Sequence, residues 1–317
     1  QGESGGMRAS RACIVGGCAS TSNVLAGREY GLPVSGTHAH AWVMAFDNEL
    51  EAFRAYAKEF PTNCVLLVDT YDVAQGMKNA ITVGLEMKAR GEHLAGIRID
   101  SGDLAWNAKQ ARAMLDEAGL TDTGVVLSND LDEFAIKSIR DSGAKVASWG
   151  VGTKLVTAYD QPALGGVYKL AAKRMKGGKW EPCGKVTGQS SKQTVPGILD
   201  VRRYFHESGT IAGDMVFDVL YTVSSERIVD PADELRQKDL SGLRYETLLE
   251  PLARAGKVVL DVEARDALVA RDRCREQLAL LDESQKRIVN PHSYPVGLEY
   301  SLFYRRRDLV SRLLGLS

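Results

Sequence analysis

Between residues 20 and 173, short apolar, β-branched runs alternate with longer stretches whose apolar residues recur every three or four positions. The short runs fall at 32–34, 65–68, 96–99, 125–127, 146–149 and 167–170. The first four are spaced by roughly thirty residues, the length of a strand, helix and crossover. Between them, 50–60 gathers Phe53, Tyr56, Ala57 and Phe60 on one helical face. The stretch 103–118 repeats Leu104, Ala108, Ala111 and Leu115, and 130–142 repeats Leu131, Phe134, Ala135 and Ile139, with Gly143 expected as its C-cap. Strands that alternate with helices predict an α/β fold on a parallel sheet covered by helices.

Beyond residue 173 the pattern changes. The stretch 173–194 is basic and contains Gly177-Gly178, which predicts a hairpin turn; 201–223 predicts antiparallel strands. Helical spacing is read at 245–255, 262–281 and 298–314. The expected organisation is an α/β-barrel catalytic region over 1–173. Residues 174–317 would hold the end of the barrel and the C-terminal part of a smaller α/β domain.

Composition narrows the partners. Forty basic against forty-one acidic side chains leave a formal charge of -1, so nothing favours nucleic acid or an anionic membrane. The basic 173–192 stretch, with Trp180 as its one stacking aromatic, reads as a solvated face that helps attract anionic substrates. No apolar run approaches the roughly eighteen residues of a membrane span. Five widely spaced cysteines with no CxxC pair fit reduced thiols in a cytoplasmic protein, and Cys13 and Cys18 read as small buried hydrophobes. The opening Gln1-Gly2-Glu3-Ser4-Gly5-Gly6 has neither an initiator Met nor an element pattern, so a preceding segment is expected.

The strand runs end in clusters of residues suited to chemistry. Gly36-Thr37-His38-Ala39-His40 comes first, then Asp69-Thr70-Tyr71-Asp72, then Arg98-Ile99-Asp100-Ser101-Gly102-Asp103. Ser128-Asn129-Asp130 and Gly150-Val151-Gly152-Thr153 close the series. In α/β barrels the active site lies at such strand ends. Asp72, Asp103 and Asp130 each precede a helix and are read first as caps. Gly150, Gly152 and Thr153 are either a tight turn or an anion cradle. Arg98, at the end of an apolar strand, needs an anionic partner, either Asp100 or Asp69 or a substrate carboxylate or phosphate. His38 and His40 alternate along an extended segment and should point to opposite sides. An H-x-H pair also suits a metal hydrolase, but His93, His206 and His292 stand at no strand end that would complete its ligands.

Taken in order, these stretches resemble the nicotinate phosphoribosyltransferase family. Thr21-Ser22-Asn23-Val24-Leu25-Ala26-Gly27, Leu164-Gly165-Gly166-Val167-Tyr168-Lys169-Leu170 and Lys192-Gln193-Thr194-Val195-Pro196-Gly197 extend the match, which is strong to about residue 200 and weaker to about 307. The resemblance implies an irregular α/β barrel of the type II phosphoribosyltransferase kind beside a smaller α/β domain. It implies homodimers with the active site at the subunit boundary. The implied reaction joins nicotinate to phosphoribosyl pyrophosphate, giving nicotinate mononucleotide and pyrophosphate in NAD biosynthesis, coupled to ATP hydrolysis with Mg2+. In that reading His40 is the residue phosphorylated by ATP, with Asp69 accepting a hydrogen bond from its ring. Arg98 contacts the pyridine ring or its carboxylate, and Asp100 the ribose. Gly150, Gly152 and Thr153 hold the 5′-phosphate, and Thr37, Ser101 and Asn129 complete the substrate site.

Nicotinamide-using relatives carry an aspartate near 21–23, where this chain has Thr21, Ser22 and Asn23, so nicotinate is favoured over the alternative, nicotinamide. Family members also carry a long segment ahead of the position of Gly2. The chain as it stands is therefore expected to turn over weakly or not at all, and a non-catalytic nucleotide-binding remnant is the other alternative.

Overall fold

The computed structural model describes residues 2–186, 193–260 and 266–316, in two compact units that divide between Ala163 and Leu164. Lys192, which ends the basic stretch, and 262–265 of the expected 262–281 helix lie outside the described residues.

The first unit opens with α1 (Gly2–Val15), α2 (Val24–Tyr30), α3 (His40–Met44) and α4 (Glu49–Glu59). It continues as β1 (Cys64–Leu67), α5 (Val73–Ala89), β2 (Leu94–Ile99), α6 (Leu104–Glu117), β3 (Gly124–Ser128), α7 (Glu133–Asp141), β4 (Ser148–Gly150) and α8 (Thr153–Val156). Among the described residues β1 to β4 form one parallel sheet in chain order. An order that advances one strand at a time, with right-handed crossovers, puts every connecting helix on the same face, which is the winding of an α/β barrel.

That face holds the core. Leu66, Ile97, Ile99 and Leu127 from the strands meet Met77, Ala80 and Val83 of α5, Ala111 and Leu115 of α6, and Phe53 of α4, all buried. Burying each large aliphatic side chain is worth about 1.5–3 kcal/mol, and this layer fixes where the strands end. At Gly76 the first turns of α5 press onto β1 so closely that an added Cβ would overlap the Val68 carbonyl.

Helix starts follow the acidic residues. Asp72 accepts from the Gln75 amide and caps α5; Asp103 accepts from the Trp106 amide and caps α6. Asp130, expected as the third cap, is not one. It sits at φ 43 in the loop, and Asp132 accepts from the Ala135 amide to start α7 two residues later. Gly143, at φ +84, follows the end of α7 as expected.

Two expected strands do not form. Residues 32–34 contribute only an isolated bridge from Val34 to Thr21, because Pro33 offers a carbonyl but no N–H. At 167–170 there is no strand either; Val167, Tyr168 and Leu170 are all exposed.

The second unit begins with the hairpin β5 (Ala172–Arg174) and β6 (Trp180–Pro182), turning where Gly177 has φ +76. It continues as β7 (Leu199–Phe205), β8 (Ile211–Asp218), β9 (Arg227–Asp230), β10 (Asp233–Asp239), β11 (Arg244–Thr247), β12 (Ala253–Arg254), β13 (Lys257–Val258), α9 (Ala267–Ala279), β14 (Val296–Glu299) and α10 (Tyr300–Leu313). Among the described residues β10-β9-β14-β8-β7-β11 form a mixed sheet, with β14 parallel to β8. Leu302 and Phe303 of α10 pack against Val229 and Leu298.

The helix expected at 245–255 is replaced by β11, β12 and a tight turn. Pro251 would interrupt it, Ala255 and Gly256 both have positive φ, and Tyr245 pairs with Tyr204 across the sheet. Leu298, expected at the start of the last helix, belongs to β14; Glu299 then caps α10 by accepting from the Leu302 amide.

No helix among the described residues is long and apolar enough to cross a membrane.

Candidate active site

The strand ends of the first unit hold one connected group of polar side chains. Arg98 lies in β2 on the face opposite Ile97 and Ile99. Its Nε donates to Ser128 Oγ at 2.8 Å, one terminal nitrogen donates to Thr37 Oγ1 at 3.0 Å, and the other lies 3.2 Å from Asp100 Oδ2. Ser128 in turn donates to Asp100 Oδ1 at 2.5 Å. Two guanidinium N–H groups are thus engaged in hydrogen bonds and the Asp100 contact is an ion pair, so among the described residues donors on the terminal nitrogens remain for a ligand. The side chain keeps 26% of its surface accessible, so a ligand can reach it.

His40 opens α3 at the edge of this group. Its Nε2 lies 3.8 Å from Asp100 Oδ2, and Nδ1 pairs with Thr70 Oγ1 at 3.1 Å. The ring partner expected from the sequence, Asp69, is not the one found. Asp69 Oδ2 accepts instead from the Asp100 amide at 2.8 Å and from Ser101 Oγ at 2.5 Å, tying the end of β1 to the loop after β2. Asp69 Oδ1 is buried with no hydrogen-bond partner. Thr70, one residue on and at the foot of the same loop, reaches the ring.

His38 and His40 do point to opposite sides. His38 is 6% exposed and packs edge-on against Tyr56, with Phe53 beyond. Its Nε2 lies 3.1 Å from the Leu67 amide nitrogen, and Nδ1 lies 3.3 Å from the Ala39 carbonyl. An amide N–H can only donate, so Nε2 accepts and the ring proton sits on Nδ1. The reason lies in the sheet. β1 is an edge strand, and the Val68 amide bonds inward to the Arg98 carbonyl, so the Leu67 amide faces outward. His38 supplies the acceptor that a further strand would supply. The same contact moors the 36–40 segment, and with it Thr37 and His40, to the strand that carries Asp69. Burial, with the Arg98 guanidinium nearby, lowers the His38 ring below its ordinary value of 6.5 and so favours the neutral form that the Leu67 contact requires.

Thr37, His40, Asp69, Arg98, Asp100 and Ser101 are therefore brought together. Asn129, Gly150, Gly152 and Thr153 stand at the ends of β3 and β4, but no hydrogen bond among the described residues links the Asn129 or Thr153 side chain to that group. Asn129 and Asp130 occupy consecutive positive φ values of 95 and 43, backbone strain of the kind that collects at functional loops. Gly150 brings β4 against β3, where an added Cβ would come within 3.0 Å of Ser128 Cβ. Ser128 and Thr70 stand in the strand-end motifs but had been given no role. The register does mark Ser128: Ile99 pairs with Leu127, so the next positions, Asp100 and Ser128, fall opposite each other.

A cavity of about 700 Å3 lies at the other end of the strands, lined by Arg112, Thr123, Ala147 and Trp149 among others, and shares none of these residues. Among the described residues no three His, Cys, Asp or Glu side chains are grouped to hold a metal ion by themselves.

Residues 6–207 match the model of the Nicotinate phosphoribosyltransferase (NAPRTase) family, and 200–305 match the Nicotinate phosphoribosyltransferase C-terminal domain. The chain belongs to the nicotinate phosphoribosyltransferase family. The nicotinate phosphoribosyltransferase of Bacillus subtilis is 42% identical over 297 residues, covering 92% of this chain and 60% of that protein. That of Dictyostelium discoideum is 30% identical over 360 residues, covering 96% and 60%. The crystal structure of human nicotinic acid phosphoribosyltransferase superposes with a TM-score of 0.77 at 26% identity, covering 98% of this chain and 68% of that one. The chain thus spans 60% of the length of these two curated relatives.

Proposed function

We propose that this chain carries the strand-end chemistry of a nicotinate phosphoribosyltransferase, transferring phosphoribosyl from phosphoribosyl pyrophosphate to nicotinate to give nicotinate mononucleotide and pyrophosphate in NAD biosynthesis. The observation that carries this reading is Arg98, held by Thr37, Ser128 and Asp100 while, among the described residues, donors on its terminal nitrogens remain for a ligand. A guanidinium so held suits a planar carboxylate such as that of nicotinate.

Breaking the bond from ribose C1 to pyrophosphate builds positive charge on the sugar, as in glycoside hydrolysis. Asp100, facing the same opening as Arg98, is placed to stabilise that charge and to accept from a ribose hydroxyl. The loop from Gly150 to Thr153 offers backbone N–H groups and one hydroxyl to the 5′-phosphate.

Magnesium commonly binds through one or two carboxylates together with substrate phosphates, and it would neutralise charge on the departing pyrophosphate. The unpartnered Asp69 Oδ1 and the adjacent Asp100 fit that donor set. ATP coupling rests on His40. Thr70 orients the ring through Nδ1, and Nε2 is the nitrogen that would receive the phosphoryl group. Exposed Met44 at the end of α3, Tyr71 after β1 and Trp106 in the first turn of α6 support a second copy of the chain there, hence a homodimer.

The test is product formation from nicotinate and phosphoribosyl pyrophosphate with and without ATP. ATP should raise the rate of the unaltered protein, and His40→Ala should lose that increase while a basal rate remains. An undiminished ATP response in the variant would rule His40 out.

A further inference from the structure

The end of α1 carries a pair of thiols that the proposed reaction does not use. α1 stops at Val15, and Gly17 then takes φ +112, a conformation L side chains rarely adopt. Two hydrogen bonds close the helix: the Cys18 amide donates to the Cys13 carbonyl at 3.0 Å, and the Gly17 amide donates to the Ile14 carbonyl at 3.0 Å. This nested pair is the Schellman motif. In it the residue in the last turn and the residue beyond the glycine come side by side, usually as a hydrophobic contact. Here both positions are cysteines, each half-buried and each reduced.

We propose that Cys13 and Cys18 form a modification site for thiol–disulfide oxidants, a dithiol that a small disulfide such as oxidised glutathione converts into an internal disulfide. The backbone geometry permits it. A 3.0 Å bond between the two residues' main chains holds their Cα atoms at a spacing on the order of the 4.4–6.8 Å that a disulfide requires.

In the reaction, the Cys18 thiolate attacks one sulfur of the glutathione disulfide and displaces one glutathione. The Cys13 sulfur, giving up its proton, then attacks the Cys18 sulfur of the mixed disulfide and displaces the second glutathione. Two protein thiols are oxidised, one glutathione disulfide is reduced to two glutathione thiols, and both protons stay on the products. Cys13 fits the second role. Burial first, and then the neighbouring Cys18, raises its thiol above the ordinary range, so it is the poorer attacking group until the mixed disulfide stands beside it. Cys64 contrasts with both: it is fully buried and pushed up to about 12.

The location gives the bond a mechanical consequence. Cys18 leads into Thr21, which donates to Ser10 of α1 and bridges Val34, and Asn23 then caps α2. α1 also packs on α8, the helix that opens with Thr153. Oxidation would fasten α1 to the segment over 18–23 through a short covalent loop.

The experiment takes the full chain, reduces it with a phosphine, and equilibrates it with oxidised glutathione. Intact mass should fall by two hydrogen atoms, and peptide mapping should join Cys13 to Cys18. Tm should rise by a few degrees, roughly 5 °C, and that rise should be absent in Cys13→Ser and Cys18→Ser. Glutathione retained on either thiol without an internal link would overturn the proposal, as would both thiols remaining free or either cysteine linked elsewhere. Mapping of the unaltered chain decides the matter even if a variant folds poorly. Neither readout involves catalysis, so the result is independent of the proposed reaction.

Discussion

Arg98 and His38 show how differently single residues can be read. Arg98 was legible because a guanidinium on an apolar strand has few structural excuses, and its partner Asp100 stood in the same motif, with Thr37 in another. His38 looked like half of an H-x-H pair, yet its role depends on β1 being an edge strand, which no local pattern announces. The same limit explains why Asp69 was expected at the His40 ring and Thr70 was found there: adjacent residues after a strand turn to opposite sides. His38→Phe keeps the ring's contacts with Tyr56 and Phe53 but leaves the Leu67 amide without an acceptor. It should cost about 1–3 kcal/mol in urea unfolding near pH 7.5. The pH dependence follows from the depressed His38 value. As pH falls below the ordinary 6.5 the unfolded chain takes up a proton that the folded chain does not, so stability present at neutral pH is lost on acidification. The Phe variant should lack that part of the slope. An equal slope in both proteins would mean that His38 does not play this part.

At the scale of elements, caps and periodicity carried the first unit. The 3.6-residue rhythm located α4, α6 and most of α7, and Asp72 and Asp103 marked true helix starts. Failures arose where tertiary pairing outweighed local pattern. Residues 244–247 join the edge of β7, and Arg202 lies over the Tyr245 ring at 4.3 Å, so a sequence with helical spacing became a strand. Pro251 was the signal that should have excluded that helix. The close fit of α5 onto β1 gives an element-scale prediction. Gly76→Ala drives a methyl into the Val68 carbonyl, and the helix must shift away from the strand whose end supplies Asp69 and Thr70. A loss of about 1–3 kcal/mol is expected by thermal or urea unfolding, although alanine favours helix. An unchanged or increased stability would mean that α5 does not rest on β1 as described.

For the molecule as a whole, the order of chemistry along the chain was the most informative signal, more so than any one motif. Strand ends that follow one another in a parallel sheet face one opening, so their polar clusters could be assigned to a common site before the sheet itself was known. Which of those residues touch was not legible, because contact depends on register and on rotamers. The proposed function turns on Arg98 presenting its guanidinium to a carboxylate on a pyridine ring. Calorimetric titration of this chain with nicotinate mononucleotide and with nicotinamide mononucleotide, magnesium present, tests that most directly. A charge-assisted contact worth roughly 1.5–3 kcal/mol predicts about ten- to a hundredfold tighter binding of the acid, with the difference lost in Arg98→Gln. Equal affinity for the two nucleotides, or tighter binding of the amide, would contradict it.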